Sequence, residues 1–320
     1  MKTFRHLEEI PSDLGRTVLT VGNFDGVHRA HQHVLREVVQ RARELGAQSL
    51  AVTFDPHPAR ILHPDAAPPL ITPLPVKLKL LAAAGLDALL LLPFTRDLSL
   101  LTPRQFAEEI LHQKLHACEV HEGFNFRFGR QAQGDIRQLT EFGREFQFEV
   151  KVYPDMCIRG HSVSSSRVRE LIASQGDVGD ARHLLGRAFS IVSNPGRGRG
   201  YGARYTVPTI NLSRYNELVP CDGVYITRAR VAEECFDSVT NVGTRPTFGA
   251  DSFAIETHLL NFHPLELTPE TEVELFFLRR LRPEIKFPSV EELRTQIAAD
   301  VHQARRYFHL LNQYGLRHQP

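Results

Sequence analysis

The chain has 320 residues, room for two domains of ordinary size, and its 42% hydrophobic and 23% charged content is that of a soluble globular protein. A formal net charge of +1 argues against a partner gripped by bulk electrostatics, so neither nucleic acid nor an anionic membrane is expected. The four cysteines, Cys118, Cys157, Cys221 and Cys235, lie far apart and form no CxxC pair, so they suggest neither a disulfide framework nor a zinc site and fit a cytoplasmic protein.

The first residues, MKTFRHLEEIPSDLG, have no apolar core and do not read as a signal peptide. The longest apolar run, LDALLLLPF, is too short for a membrane span and reads as a buried strand. Strands are predicted at TVLTVG, SLAVTF, ALLLLPF and FEVKVY. The intervening HQHVLREVVQRARELG carries Val34, Leu35, Val38, Val39, Ala42 and Leu45 on one helical stripe. In LTPRQFAEEIL, Thr102 caps a helix, Pro103 takes its first position and Gln105 completes a capping box. Alternating strand and helix predicts an α/β fold with a mostly parallel, doubly wound sheet, whose ligands bind beyond the carboxyl ends of the strands.

The pattern changes between residues 182 and 187. Short strand-like runs follow (GRAFSIV, RYTVPTINL, GVYITRARV, SVTNVG, FAIETHLL and TEVELFFL), punctuated by Gly, Pro and Asn as in an antiparallel barrel. A terminal helix closes the chain, with Ser289 and Glu292 as its capping box. Val290, Leu293, Ile297, Val301, Ala304, Phe308 and Leu311 form its apolar stripe. Two domains of different class are expected, 1–182 and 183–320.

Two stretches carry chemistry. In GNFDGVHRAH, Gly22 ends a strand and a helix begins near His28 or Arg29. Unpaired first-turn amides favour anions, and His28 and His31 share a helical face from which they can bond phosphate oxygens. Solvated or capping histidines are the plain alternative, and the spacing does not fit the zinc pattern HExxH. In GRGRGYGARYTVPTINL, the alternating glycines, Gly196, Gly198, Gly200 and Gly202, can turn amides toward phosphate, beside Arg197 and Arg199; a simple flexible loop is the alternative. Thr209 and Asn211 leave one face of a strand and offer hard oxygen ligands suited to Mg2+. Glu256 and His258 leave the opposite face to Ile255, Thr257 and Leu259, so Glu256 is either a base toward a hydroxyl or a surface carboxylate on an edge strand.

GNFDGVHRAH resembles the GxFDxxHxGH signature of the nucleotidyltransferase family that includes the bacterial bifunctional riboflavin kinase/FMN adenylyltransferases, the FAD synthetases. TFDPHP, GFNFRFG and SVSSSRVREL look like its successive adenylyltransferase motifs. PTIN, VPCDGVY, TNVGTRPTFG, IETHLL and LRPEIKFPSVEELRTQIAADVHQAR are similar to its riboflavin kinase motifs in order. The resemblance implies a Rossmann-like nucleotidyltransferase domain followed by a six-stranded antiparallel barrel with a terminal helix. It implies ATP as co-substrate, Mg2+, and riboflavin, FMN and FAD as ligands.

Residue by residue, Gly22, Asn23, Phe24, Asp25, His28 and His31 would hold the ATP phosphates of the first site, with Ser164, Ser165 and Arg167 closing from a second helix start. Asn125, Phe128 and His57 would line the flavin. Gly198, Gly200 and Gly202 would hold the second ATP, Thr209 and Asn211 the metal, and Glu256 would deprotonate the ribityl hydroxyl. The chain departs from the pattern at Ala30, usually glycine, and at Thr206 and Val207, usually Gly-Phe. The expected function is phosphorylation of riboflavin and adenylylation of FMN. The alternatives are a kinase with a weak or lost adenylyl site and a non-catalytic flavin or nucleotide sensor; self-association is left open.

Overall fold

The computed structural model describes residues 1–196, 209–213, 215–231, 234–244, 253–263 and 267–314. They fall into two compact units, Met1–Ser165 and Ser166–Pro320.

The first unit is built on six parallel strands: β1 (Lys2–Phe4), β2 (Thr17–Val21), β3 (Gln48–Asp55), β4 (Ala88–Pro93), β5 (Ala117–Gly123) and β6 (Glu149–Tyr153). Their order is β1-β4-β3-β2-β5-β6. From β2 the chain winds outward through β3 and β4, then returns to the other side of β2 with β5 and β6. The β2–β5 junction is therefore the topological switch point, where the loops at the strand ends diverge and leave a crevice.

Residues on the two faces of β2 bury against different helices, as alternation along a strand requires. Val18 belongs to a core with Leu35, Val38 and Ala42 of α1 (Arg29–Leu45), beyond which lie α2 (Pro58–Leu62) and α3 (Leu74–Ala83). Leu19 and Val21 belong to the opposite core with Phe106, Ile110 and Leu139. Phe106 and Ile110 lie on the wide-turned helix Phe106–Lys114, which follows α4 (Arg96–Leu100) and α5 (Pro103–Gln105). The predicted capping box at Thr102 and Gln105 is present in both directions. Leu139 lies on α6 (Ile136–Phe146), and a small hairpin, β7 (Cys157–Ile158) and β8 (His161–Ser162), precedes α7 (Ser165–Arg169).

The second unit holds α8 (Val178–Leu185) and six antiparallel strands: β9 (Phe189–Ser193), β10 (Thr209–Asn211), β11 (Gly223–Val231), β12 (Glu234–Thr244), β13 (Phe253–Leu259) and β14 (Val273–Arg282). Their order is β10-β13-β12-β11-β14-β9, and a Pro195–Leu212 bridge joins the two ends into a barrel. At that closure the Gly196 N–H donates to the Asn211 carbonyl at 2.7 Å and the Ser213 N–H to the Asn194 carbonyl at 2.8 Å.

The barrel interior is partly polar. Thr227 meets Ser238 at 2.8 Å and Thr240 at 2.7 Å, and Thr240 donates to Thr257 at 2.9 Å, so these buried hydroxyls satisfy one another. The terminal helix, α9 (Val290–Gln313), starts at the predicted Ser289, whose side chain accepts the Glu292 N–H. Its stripe is only half used. Ala304, Phe308 and Leu311 pack on Val224, Ile226 and Phe276, whereas Val290, Leu293 and Ile297 are exposed, because the helix meets the barrel from Asp300 onward.

Candidate active sites

At the switch point the segment between β2 and α1 is a compact, over-determined turn. Phe24 and Val27 hold positive φ angles of 47° and 37°, which non-glycine residues, and a β-branched one above all, adopt only under constraint. The constraint is Asp25. Its buried carboxylate accepts the Ile71 N–H at 3.0 Å, the Thr72 N–H at 3.0 Å and the Thr72 hydroxyl at 3.3 Å, while the Thr72 oxygen accepts the Gly26 N–H at 2.9 Å. The Phe24 ring folds back over Gly22, where a Cβ would sit 3.2 Å from the ring. Ser165, at the start of α7, donates to the Asp25 carbonyl at 2.8 Å, so the serine-rich segment reaches this turn.

α1 begins at Arg29 with His28 as its cap: the His28 Nδ1 accepts the His31 N–H at 3.4 Å. A ring nitrogen that accepts carries no proton, so neutral His28 holds its proton on Nε2. The rings of His28 and His31 stack at 3.6 Å, and Phe24 meets His31 edge-on at 5.1 Å. Burial, and secondarily repulsion from His28 whenever that ring is protonated, hold the His31 pKa well below the ordinary value. The ring is therefore neutral near pH 7, and its Nδ1 is buried without a protein partner.

The other loops of the first site leave the carboxyl ends of neighbouring strands. His57, after β3, caps α2 by accepting the Ala59 N–H at 3.2 Å. After β5, Asn125 is exposed, with its Oδ1 3.4 Å from where a Cβ of Gly123 would lie. Phe128 is buried in the core against Phe106 and Phe126, so it backs this loop from beneath. Arg167, in the second unit, pairs with Glu170 at 2.8 Å.

In the barrel, Thr209 and Asn211 share a face of β10, and both are half-buried. The register supplies what spacing alone does not. Asn211 lies directly opposite Glu256 on β13, and Glu256 lies directly opposite Asn241 on β12, so all three side chains leave the same face in one row. Thr209 stands opposite His258 on that face. A hydroxyl and an amide oxygen beside a carboxylate suit a hard cation that keeps phosphate and water among its ligands. Among the described residues no group of three or more His, Cys, Asp or Glu is placed to hold a metal by itself. Gly198, Gly200 and Gly202 lie outside the described residues.

The switch-point unit and the barrel match separate family models. FAD synthetase matches residues 10–167 and riboflavin kinase residues 185–308. The bifunctional riboflavin kinase/FMN adenylyltransferase of Haemophilus influenzae is 32% identical over 96% of this chain and 99% of its own length. The Pseudomonas fluorescens enzyme of that name is 34% identical over 95% and 97%. The chain belongs to the bifunctional riboflavin kinase/FMN adenylyltransferase family. A solved Streptococcus pneumoniae structure, described as a macrolide-efflux protein, matches with TM-score 0.82 and 27% identity over 95% of this chain and 98% of that one. No helix among the described residues of this family member is long and apolar enough to cross a membrane.

Two further residues of the first site lie outside every motif of the sequence. Lys77 of α3 is buried under the turn, donating to the carbonyls of Asn23 and Phe54, both at 3.3 Å, and to the Thr53 hydroxyl at 3.2 Å. Burial lowers its pKa, opposed by Asp25 and Asp55. Glu122 is next to last in β5, and its carboxyl accepts the Val21 N–H at 2.6 Å beyond the last β2–β5 pair, Leu19 with Val120. Burial pushes the Glu122 carboxyl well up, against the Val21 N–H and Thr20 hydroxyl that favour its charged form. A lysine within an ordinary amphipathic helix and a glutamate within a strand give no signal in one sequence.

The turn predicts its own fragility. Asp25→Ala leaves the buried Ile71 and Thr72 N–H groups without their acceptor, a loss of about 2–3 kcal/mol. Thermal denaturation is expected to show a Tm lower by several degrees. An unchanged Tm would mean that the turn is held by something else.

Proposed function

We propose that the chain converts riboflavin to FMN in its barrel and FMN to FAD at its switch-point site, using ATP in both steps. Family membership, with both family models matched in order, supports the pair of activities. The observation that carries the mechanism is the register pairing of Glu256 with Asn211, a carboxylate beside an oxygen ligand on the outer face of the barrel.

In the kinase step Glu256 takes the proton of the terminal ribityl hydroxyl. The oxygen attacks the γ-phosphorus of ATP, and ADP departs. Thr209 and Asn211 would hold Mg2+ with the phosphates, and the bound ion would neutralise charge developing on them. Gly198, Gly200 and Gly202 would supply amides to the same phosphates.

In the adenylyl step an FMN phosphate oxygen attacks the α-phosphorus of a second ATP, and pyrophosphate leaves. His28 and His31 donate ring N–H groups to the phosphates at the first turn of α1. Gly22, Asn23, Phe24 and Asp25 hold the turn that presents them. Ser164, Ser165 and Arg167 would close over the nucleotide, with His57 and Asn125 toward the flavin and Phe128 supporting the Asn125 loop. Neither step needs a protein nucleophile.

We assign adenylyl transfer to residues 1–182 and the kinase to 183–320; the family matches end at 167 and resume at 185, in keeping with this division. The near-neutral charge and scattered cysteines favour a cytoplasmic enzyme needing neither membrane nor nucleic acid. The test is direct. Pure protein with riboflavin, ATP and Mg2+ is expected to yield FMN and then FAD on chromatography. FMN alone would leave only the kinase, the outcome Ala30 would explain, and neither product would favour a sensor.

A further inference from the structure

The row that contains Glu256 continues past it. Arg282 of β14, Val224 of β11, Asn241 of β12, Glu256 of β13 and Asn211 of β10 are successive opposed residues on one face of five strands. At the β14 end, Arg282 grips the buried Asp300 of α9, with Nη2 to Oδ2 at 2.8 Å and Nε to Oδ1 at 3.2 Å. This anchor fixes the chain two residues before Glu284.

Glu284 is half-buried and turns back onto β12. Its carboxylate lies on the α-carbon of Gly243: a Cβ there would be 2.5 Å from Oε2 and 2.8 Å from Oε1. Any other residue at 243 would fill the seat. Seated there, the carboxylate accepts a side-chain hydrogen bond from Asn241, with Asp222, Arg282 and Glu256 the charged groups around it. Asn241 thus stands between two carboxylates, bonded to Glu284 and directly opposite Glu256.

We propose that Glu284 is a positioning residue of the kinase site, which fixes the Asn241 amide and through it the place of the Glu256 carboxylate beside Asn211. An amide held by an outside acceptor cannot rotate about its last torsion. The side chain opposite it, some 5 Å away between Cβ atoms, then meets a fixed neighbour. A base displaced by about 1 Å from its hydroxyl loses up to a hundredfold in rate. The inference rests on the assignment of Glu256 as base, and it gives a role to a residue of the LRPEIKF stretch that the resemblance leaves without one.

The kinase and adenylyl reactions are assayed separately in the full chain, with riboflavin or FMN supplied. Glu284→Ala is expected to lower the kinase kcat about tenfold to a hundredfold, leaving KM for ATP within about twofold and FAD formation from FMN unchanged. Glu284→Gln still accepts the Asn241 bond through its amide oxygen and is expected to stay within about threefold of the parent. Asn241→Ala should reproduce the loss, and the Asn241→Ala, Glu284→Ala pair should be no worse than either alone.

A Glu284→Ala enzyme with the parent kcat overturns the proposal, as does a Gln variant as poor as Ala or full additivity with Asn241→Ala. Should the Ala variant fail to fold, the Gln and Asn241→Ala comparisons decide in the same way. The assignment of Glu256 is tested apart from this: if Glu256→Gln retains FMN formation, the base is wrong. If Glu256→Gln is inactive while Glu284→Ala is normal, only the positioning role falls.

Discussion

Glu256→Gln is expected to lower FMN formation by about 10²- to 10⁴-fold, the range for loss of a positioned general base, while supplied FMN is still converted to FAD at the parent rate. The amide is nearly isosteric with the carboxylate but cannot take the ribityl proton, so the loss should appear in kcat. Folding should hardly change. Glu256 lies on the outer face of β13, whereas the barrel interior is filled from its neighbours Ile255 and Thr257. The separate survival of adenylyl transfer is the informative half, because each compact unit carries its own hydrophobic core. Chromatography of the flavins measures both halves at once. A variant still making FMN within tenfold of the parent rate would return Glu256 to an ordinary surface carboxylate.

How far the sequence leads is clearest at β5 and at the Asn211 row. β5 pairs with β2 at the switch point, yet ACEVHEG does not read as a strand, because Glu119, His121 and Glu122 interrupt the apolar pattern. Those residues are buried all the same, each with a partner the sequence cannot reveal. Glu119 meets Arg41 of α1 at 2.5 Å, and His121 lies between Glu119 at 3.0 Å and the Tyr153 hydroxyl at 2.8 Å. Glu122 caps the Val21 N–H. Polar groups buried in mutual bonds erase the periodicity that marks a strand.

In the barrel, parity along each strand was legible: Thr209 with Asn211, and Glu256 opposed in direction to Thr257. Register was not. It depends on β10 pairing with β13 across the intervening β11 and β12, a long-range choice set by packing. The terminal stripe erred the other way. Periodicity reports which face of α9 is apolar, and says nothing of how much barrel lies beneath it.

At the switch point, His28→Asn is expected to lower adenylyl transfer by about 10²- to 10³-fold, comparable to removing one donor to a developing anion, with FMN formation unaffected. Asparagine is chosen because His28 also caps α1 through Nδ1. An Asn oxygen is among the best acceptors at that position, so the helix start survives while the ring N–H is lost. An alanine variant would confound the two.

His31 adds a pH signature with a definite sign. Its folded-state pKa lies well below the unfolded value near 6.5. Between those values the unfolded chain binds more protons, so stability falls as pH drops below about 6.5. His31→Asn should flatten that acid decline in Tm. A His31 ring that is already neutral also predicts that its own deprotonation costs no adenylyl kcat/KM for ATP as pH rises from about 6.5 to 8, where an imidazolium with an ordinary pKa would discharge. A His28→Asn enzyme that still makes FAD normally would remove that ring from the phosphate grip and leave His28 a helix cap alone.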